Sequence, residues 1–331
     1  MFFRHYDFDT GLNIIYNIVE IKIPLISEAN RMKKQTALFL VALGNVIWGA
    51  SFMFSKIAME YTEPVSLLAL RFVFAFASMS LLSLLFHNNK NFRLDFRGKN
   101  IKPLIILSFF QPIAYFFFEA NGIKLTNSVL SSVIIATIPI VTLFFEAFKL
   151  KQKLPKDKLF FSCLSVGGVI IVSFCSSSGG KNSLLGIVSL LLAVVTSIGF
   201  NYMSKLSSGS FSAYERSYFM FMSGAVFYFI TAIIKNGFNL RLLFEPLHHT
   251  EFLWAILYLG VISSVAAFTF INAGLEVLSL SETTVFNTLI TMVGVLCGTF
   301  ILKEAVTPLK LLGCAVIIAG LLGFNRNAKE N

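Results

Sequence analysis

Ten apolar runs of near-membrane length constrain this chain more than any other feature. They fall at residues 37–57, 65–86, 101–121, 127–148, 159–175, 184–204, 211–234, 252–273, 280–302 and 308–324. A helix needs about 17–25 apolar residues to cross the hydrocarbon core of a bilayer. A lone strand at that depth would leave its backbone groups unpaired, so each run is expected to be helical. The breaks carry turn and charge signals, among them "EYTEP", "HNNKNFRLDFRGKN", "KLKQKLPKDK", "SSSGGKNS" and "KNGFNLRLLFEPLHHTE". Composition agrees: 56% of residues are hydrophobic, 37 are Phe and only 13% are charged, against roughly 25% charged in soluble domains. The expected class is an all-α integral membrane protein with ten transmembrane helices.

The net charge of +10 would suggest nucleic acid in a soluble chain. Its placement argues otherwise. Seventeen basic residues fall before the first run, after the second, after the fourth and in the tail, whereas the alternate loops hold six. Lys and Arg collect in cytoplasmic loops, so both termini are expected in the cytoplasm of a multi-pass protein of the cell membrane. The basic balance is then topology, and no nucleic-acid partner is expected. Residues 1–31 lack the layout of a signal peptide. "MKKQTALFL" from Met32 reads as a natural start, which makes 1–31 an N-terminal extension or a mis-annotated start. The competing reading is an amphipathic surface helix around "LNIIYNIVEIKI".

Self-similarity runs through the chain. At an offset of 152 residues, Gly122 meets Gly274, Val133 meets Val285, Ile138 meets Ile290 and Phe148 meets Phe300. Lys151 then meets Lys303 and Gly168 meets Gly320, without a gap. Earlier, "FMFSK" ending at Lys56 parallels "NYMSK" ending at Lys205, and Arg71 falls opposite Arg216 once a few loop residues are removed. Five spans per copy is an odd number, so the second copy starts on the other side of the membrane. Two inverted five-helix repeats are expected, 32–176 and 177–331, with a substrate site near the midplane between them.

These residues carry a resemblance. "WGASF" in the first span, "EPVSLLALRF" opening the second, and "LKEAVTPLKLLGCAVIIAGLLG" at the end of the second half resemble EamA-type members of the drug/metabolite transporter superfamily, over about residues 33–325. The resemblance implies a ten-helix fold, alternating access and the movement of small organic solutes such as amino acids, often outward. One departure stands out. Gln152 occupies the place where the first half of such proteins usually carries the Glu represented here by Glu304. That loss is tolerable if the Glu caps a helix, and weightier if it couples ions.

Polar residues inside apolar spans need a reason, since they are costly in hydrocarbon. Lys56 lies at the end of its span, where a long side chain can snorkel to the headgroups. Arg71 and Arg216 suit a structural role, holding helix ends through carbonyls or Glu partners. The alternative is binding a carboxylate or phosphate through the guanidinium fork. Gly49 lets a helix approach closely, leaving Trp48 and Phe52 to wall a cavity beside Asn45. A polar group next to an aromatic suits a pocket, and equally a hydrogen-bonded helix contact. Tyr115, Glu119, Gln111, Asn201, Tyr202, Asn272 and Asn287 are deep enough to line the same space. The candidate substrate-binding set is therefore Asn45, Trp48, Phe52, Arg71, Tyr115, Glu119, Asn201, Tyr202, Arg216, Asn272 and Asn287. Glu119 is expected to pair with a basic residue rather than to carry protons, while Glu146 and Glu282 sit near the cytoplasmic edge, where solvation accounts for them. Pro112 and Pro139 are expected to kink the third and fourth spans.

No cofactor or metal is called for. Cys163, Cys175, Cys297 and Cys314 lie in or beside apolar runs without metal-ligand spacing, and His248–His249 are adjacent and so face different ways. A nucleotide-binding GxxxxGK[ST] loop and catalytic signatures such as HExxH or GxSxG do not occur. The leading reading is a secondary transporter, not an enzyme, exporting small organic metabolites. Its alternatives are a membrane-embedded enzyme and a non-transporting scaffold. The expected partners are a small-molecule substrate and the lipid bilayer, with a homodimer left open.

Overall fold

A computed structural model describes residues 33–86, 92–149, 156–176, 184–278, 283, 286–304 and 307–326. Residues 1–31, Gln152 and Glu282 lie outside the described residues, as do the side chains of Glu146 and Cys175. Among the described residues no strand occurs. The helices are α1 (Lys34–Ala58), α2 (Pro64–Leu85), α3 (Lys102–Leu125), α4 (Ser128–Ile135), α5 (Ile138–Lys149), α6 (Lys156–Ser176), α7 (Leu184–Ser207), α8 (Ala213–Lys235), α9 (Thr250–Val277), α10 (Asn287–Leu296) and α11 (Pro308–Arg326). Six of them, α1 to α3 and α7 to α9, are long and apolar enough to cross a bilayer. Shorter apolar stretches at Ser128–Thr142, Leu159–Gly168, Leu289–Ile301 and Leu311–Gly320 supply the other four spans.

Local chemistry sets the helix ends. Pro64 opens α2, where its missing N–H would have had no intrahelical partner anyway. Before α8, Ser212 Oγ accepts from the Glu215 amide at 3.2 Å while the Ser212 amide donates to Glu215 Oε2 at 2.8 Å. This reciprocal cap satisfies two otherwise orphaned donors. The interiors break where expected. In α3 the helical geometry is lost at Gln111 (φ −150°, ψ 120°), next to Pro112. The fourth span divides between α4 and α5, just ahead of Pro139. Within α9, residues Tyr258–Ala267 form a widened π-type turn, a distortion that loosens the carbonyl ladder and often marks functional positions.

The packing carries the repeat in a stronger form than sequence identity does. Gly122 on α3 abuts Gly186 and Leu190 on α7, and its counterpart Gly274 on α9 abuts Ala37 and Val41 on α1. The neighbours are themselves counterparts under the alignment of Lys56 with Lys205. Between α6 and α11 the contacts are mutual: Gly168 meets Gly313 and Ile317, while Gly320 meets Phe161 and Ser165. As one helix is followed forward, its contacts run backward along the other. The two helices are thus antiparallel around a local two-fold axis, which is the geometry of an inverted repeat. A Cβ on any of these four glycines would come closer than 3.0 Å to its neighbour. Such small-residue crossings give membrane helices the close approach on which their association depends.

Aromatic rings fill the centre. Phe268 on α9 contacts Trp48, Phe116, Phe200 and Phe221, with ring centroids 4.8, 5.9, 6.0 and 5.6 Å away. Phe72 stacks on Phe221 and Tyr228. Helices of both halves meet in this one cluster, and the cavity lies against it.

Candidate substrate cavity

The cavity has two lobes that share Trp48, Gln111, Tyr115, Ile135 and Ile290. The first, with about 290 Å³ of empty volume, is completed by Ser51, Phe52, Arg71, Phe116, Glu119 and Phe268. The second, with about 440 Å³, is completed by Ile138, Ser197, Phe200, Asn201, Ile271, Thr283 and Asn287. Like solute pockets in general, the lobes combine apolar walls with a few placed polar groups. Every wall comes from one chain.

The helix distortions aim the polar groups. Within the widened turn of α9 the Ser263 carbonyl accepts from Trp48 Nε1 at 3.3 Å, which holds the indole at the waist of the cavity. The same turn presents two hydroxyls to Arg71, whose Nε and Nη2 donate to Ser264 Oγ and Ser263 Oγ at 3.1 and 3.2 Å. The guanidinium carbon lies 4.4 Å from the centre of the Phe116 ring. Among the described residues no carboxylate comes within 4.0 Å of Arg71, although only 3% of the residue is exposed. Glu119, 7% exposed, accepts from Tyr115 Oη at 2.8 Å and likewise forms no ion pair among the described residues. The first lobe therefore holds one basic and one acidic side chain, which interact across it without direct contact.

Of the eleven candidates, seven line the cavity: Trp48, Phe52, Arg71, Tyr115, Glu119, Asn201 and Asn287. The other four lie outside both lobes. Asn45 donates to the Val41 carbonyl one turn back on its own helix, at 2.7 Å. Asn272 accepts from Ser204 Oγ at 2.6 Å and donates to Ser217 Oγ at 2.8 Å, so it ties three helices together. Tyr202 packs on Phe145. Arg216 is fully buried and donates to the Phe211 and Asn272 carbonyls, both at 2.7 Å, with Glu276 at 3.5 Å. The pairing expected for Glu119 is replaced by the tyrosine contact. Sequence reasoning missed Ser51, Phe116 and Ser197. Ser51 lies one helical turn from Trp48, and Ser197 one turn from Asn201, so spacing on a single helix face was the available signal.

Several polar residues turn out to hold helix ends. Lys56 Nζ donates to the carbonyls of Ile123 and Thr126 at 3.1 and 3.0 Å, and Lys205 Nζ donates to those of Leu275 and Leu278 at 2.8 and 3.1 Å. The snorkelling expected of Lys56 is thus replaced by an ammonium seated on the C-terminal end of α3, where the helix dipole favours a cation. Its repeat counterpart does the same at α9. Glu304 caps α4: Oε1 accepts from the Ser128 amide and hydroxyl, both at 2.8 Å, and Oε2 from the Val129 amide at 3.0 Å. That is the structural of the two roles open for this Glu. At the same mouth Lys124 Nζ lies 2.5 Å from Glu63 Oε2. The hydrogen bond from Lys124 holds the Glu63 carboxyl below its ordinary range. Among the described residues no group of three His, Cys, Asp or Glu could hold a metal ion.

The model of the EamA-like transporter family matches the chain twice, at residues 35–174 and 184–326. The chain belongs to the EamA-like transporter family. It is a multi-pass membrane transporter. Among its relatives, the "Uncharacterized transporter YcxC" of Bacillus subtilis (strain 168) is 31% identical over 301 residues, covering 90% of this chain and 95% of its own. The "Uncharacterized transporter YetK" of the same organism is 26% identical over 306 residues, covering 90% of each chain. A solved crystal structure aligns over 88% of this chain and 96% of its own, with a TM-score of 0.61 and 15% identity, which shows a common fold.

Proposed function

We propose that this EamA-family chain is a secondary transporter that exports small organic metabolites of the amino-acid type by alternating access. It would sit in the cell membrane with both termini cytoplasmic, and residues 32–176 and 177–331 would rock against each other. One observation carries the reading of the substrate. Arg71 and Glu119 lie in the same lobe, each more than nine-tenths buried, and neither is engaged by an opposite charge within 4.0 Å among the described residues. The two attract one another only across the lobe, and a zwitterion seated between them would give each a direct partner. Its carboxylate meets the Arg71 fork, the arrangement for which guanidinium is suited. Its ammonium meets Glu119, which Tyr115 orients. Aromatic walls at Trp48, Phe52, Phe116 and Phe268 receive the apolar part of such a solute.

Export as the direction rests on the family resemblance alone. The cytoplasmic termini rest on seventeen basic residues against six in the alternate loops. The non-enzymatic reading rests on the transporter names of the relatives. The experiment is flux: purified protein in liposomes is loaded with unlabelled L-amino acids and tested for accumulation of the labelled solute. Counterflow above protein-free liposomes is expected for zwitterionic solutes, and lost for the matching amines and acids that carry only one of the two charges. Equal exchange of a zwitterion and its decarboxylated amine would overturn the assignment of Arg71. No exchange of any solute would leave the scaffold as the better account.

A further inference from the structure

The second lobe holds a feature that the zwitterion does not explain. Gln111, Asn201 and Asn287 all line it, with 4, 9 and 7% of each residue exposed. None of their side-chain amides has a hydrogen-bond partner among the described residues. Of the two other buried amides, Asn272 is engaged at both ends through Ser204 and Ser217, while Asn45 donates to the Val41 carbonyl and its Oδ1 is left without a partner. The amides of Gln111, Asn201 and Asn287 are not among the fully enclosed atoms left without a partner; they border the open space of the lobe, so three on one wall mark a surface free to bond with whatever fills it. Gln111 also stands where α3 loses helical geometry.

Chemistry narrows what that something is. Among the described residues no charged side chain lines the second lobe, so a charged group placed there would meet none of them as a counter-charge. An apolar group would fill the space and leave all three amides dry. Each amide both donates and accepts, and a group that does the same can satisfy several at once. We propose that Gln111, Asn201 and Asn287 form a tail subsite that selects solutes whose end remote from the charged head is an uncharged hydrogen-bonding group, a primary amide above all. This rests on the transport reading and refines it: the head sits by Arg71 and Glu119, the chain passes Trp48 at the waist, and the tail enters the amide lobe.

L-Glutamine and L-methionine test this, since they share a head and have tails of similar length, one an amide and one a thioether. L-Glutamate adds a charged tail of the same shape. A site built to hydrogen-bond a polar group rejects analogues lacking it strongly. In proteoliposome counterflow the wild-type protein is expected to prefer glutamine over methionine by about tenfold or more in half-saturating concentration, with glutamate poorest. Asn201→Leu and Asn287→Leu are expected to bring that ratio to one or invert it. Asn201→Ser and Asn287→Ser, which keep a polar group, are expected to retain part of it. Should the leucine variants fail to fold, the wild-type ratio and the serine pair still decide. Glutamine and methionine handled alike by the wild type would overturn the tail subsite and leave the zwitterion head standing. Absence of exchange for all three and for glycine would remove the transport reading, and the subsite with it.

Discussion

Arg71 and Arg216 occupy corresponding places in the two repeats, yet they have come to do different things. Arg216 is fully buried with its fork spent on two backbone carbonyls and with Glu276 close by. Arg71 donates to two serine hydroxyls, lies over the rings of Phe116 and Phe72, and borders a cavity. The difference lies in the surroundings. Position 120, the counterpart of Asn272, is Ala120, and position 124, the counterpart of Glu276, is Lys124, which turns to Glu63. With an ion-pairing carboxylate removed and the α9 turn widened nearby, one arginine of a symmetric pair is released from scaffolding. An inverted duplication builds a frame twice; under the proposed reading, function takes one copy of a part whose twin keeps the frame.

Breaking the structural twin should have the largest effect. Arg216→Ala leaves two buried carbonyls without donors and Glu276 without its cation, and is expected to destabilise the fold by about 3 kcal/mol. Thermal unfolding of the purified protein in detergent reads this, and a variant as stable as the wild type would erase the distinction between the two arginines. Arg71→Gln should give the reverse pattern: a melting profile close to the wild type with transport lowered about a hundredfold, as expected when one partner of a hydrogen-bonded charge pair is truncated. Measuring flux and melting on the same preparation sharpens the contrast, because a merely structural arginine would move both together.

Two smaller effects separate capping from surface pairing at one mouth. Glu304→Ala removes the acceptor for three donors at the start of α4, and a loss of about 2 kcal/mol is expected. Because this cap joins the halves, the same melting assay should detect it without any substrate present. Glu63→Gln should change stability by about 0–1 kcal/mol, since its pair with Lys124 is solvated. The sign with pH follows from the lowered carboxyl of Glu63. Its contribution is present at neutral pH and is lost as pH falls below the ordinary carboxylate range, through the depressed value. A Glu63→Gln protein should therefore differ from the wild type less in acid than at neutral pH.

The frame was far more legible in the sequence than the site. Apolar run length fixes ten spans because the bilayer admits little else, and matched glycines announce the repeat because only they permit the close crossings. Rotation about each helix axis is not written so plainly. Asn45 lies on α1 in the same apolar setting as Trp48, and periodicity could not tell which of them meets a neighbour and which meets a cavity. That outcome is decided by packing: the neighbour's contour leaves Asn45 bonding its own helix. Lys56 misled for a related reason. Its place near a helix end suggested water, whereas the carbonyls of another helix end lay within its reach. Gln111, flagged only as a deep polar residue, gains its weight from a break in α3 that Pro112 foretold but did not locate. Residues that line the cavity with plain apolar surface, Ile135 and Ile290 among them, carry no sequence mark that distinguishes them from residues facing lipid.

The crossing of α6 with α11 bears on how the molecule is made. The two helices are one another's mates, and they are separated by the whole second half of the chain up to α11. During synthesis α6 enters the bilayer with its glycine face open, and it stays so while four further spans are threaded ahead of α11. A chain stopped anywhere before α11 presents that narrow groove to lipid or to other proteins, so this contact serves as a test of completeness that only a fully inserted protein can pass.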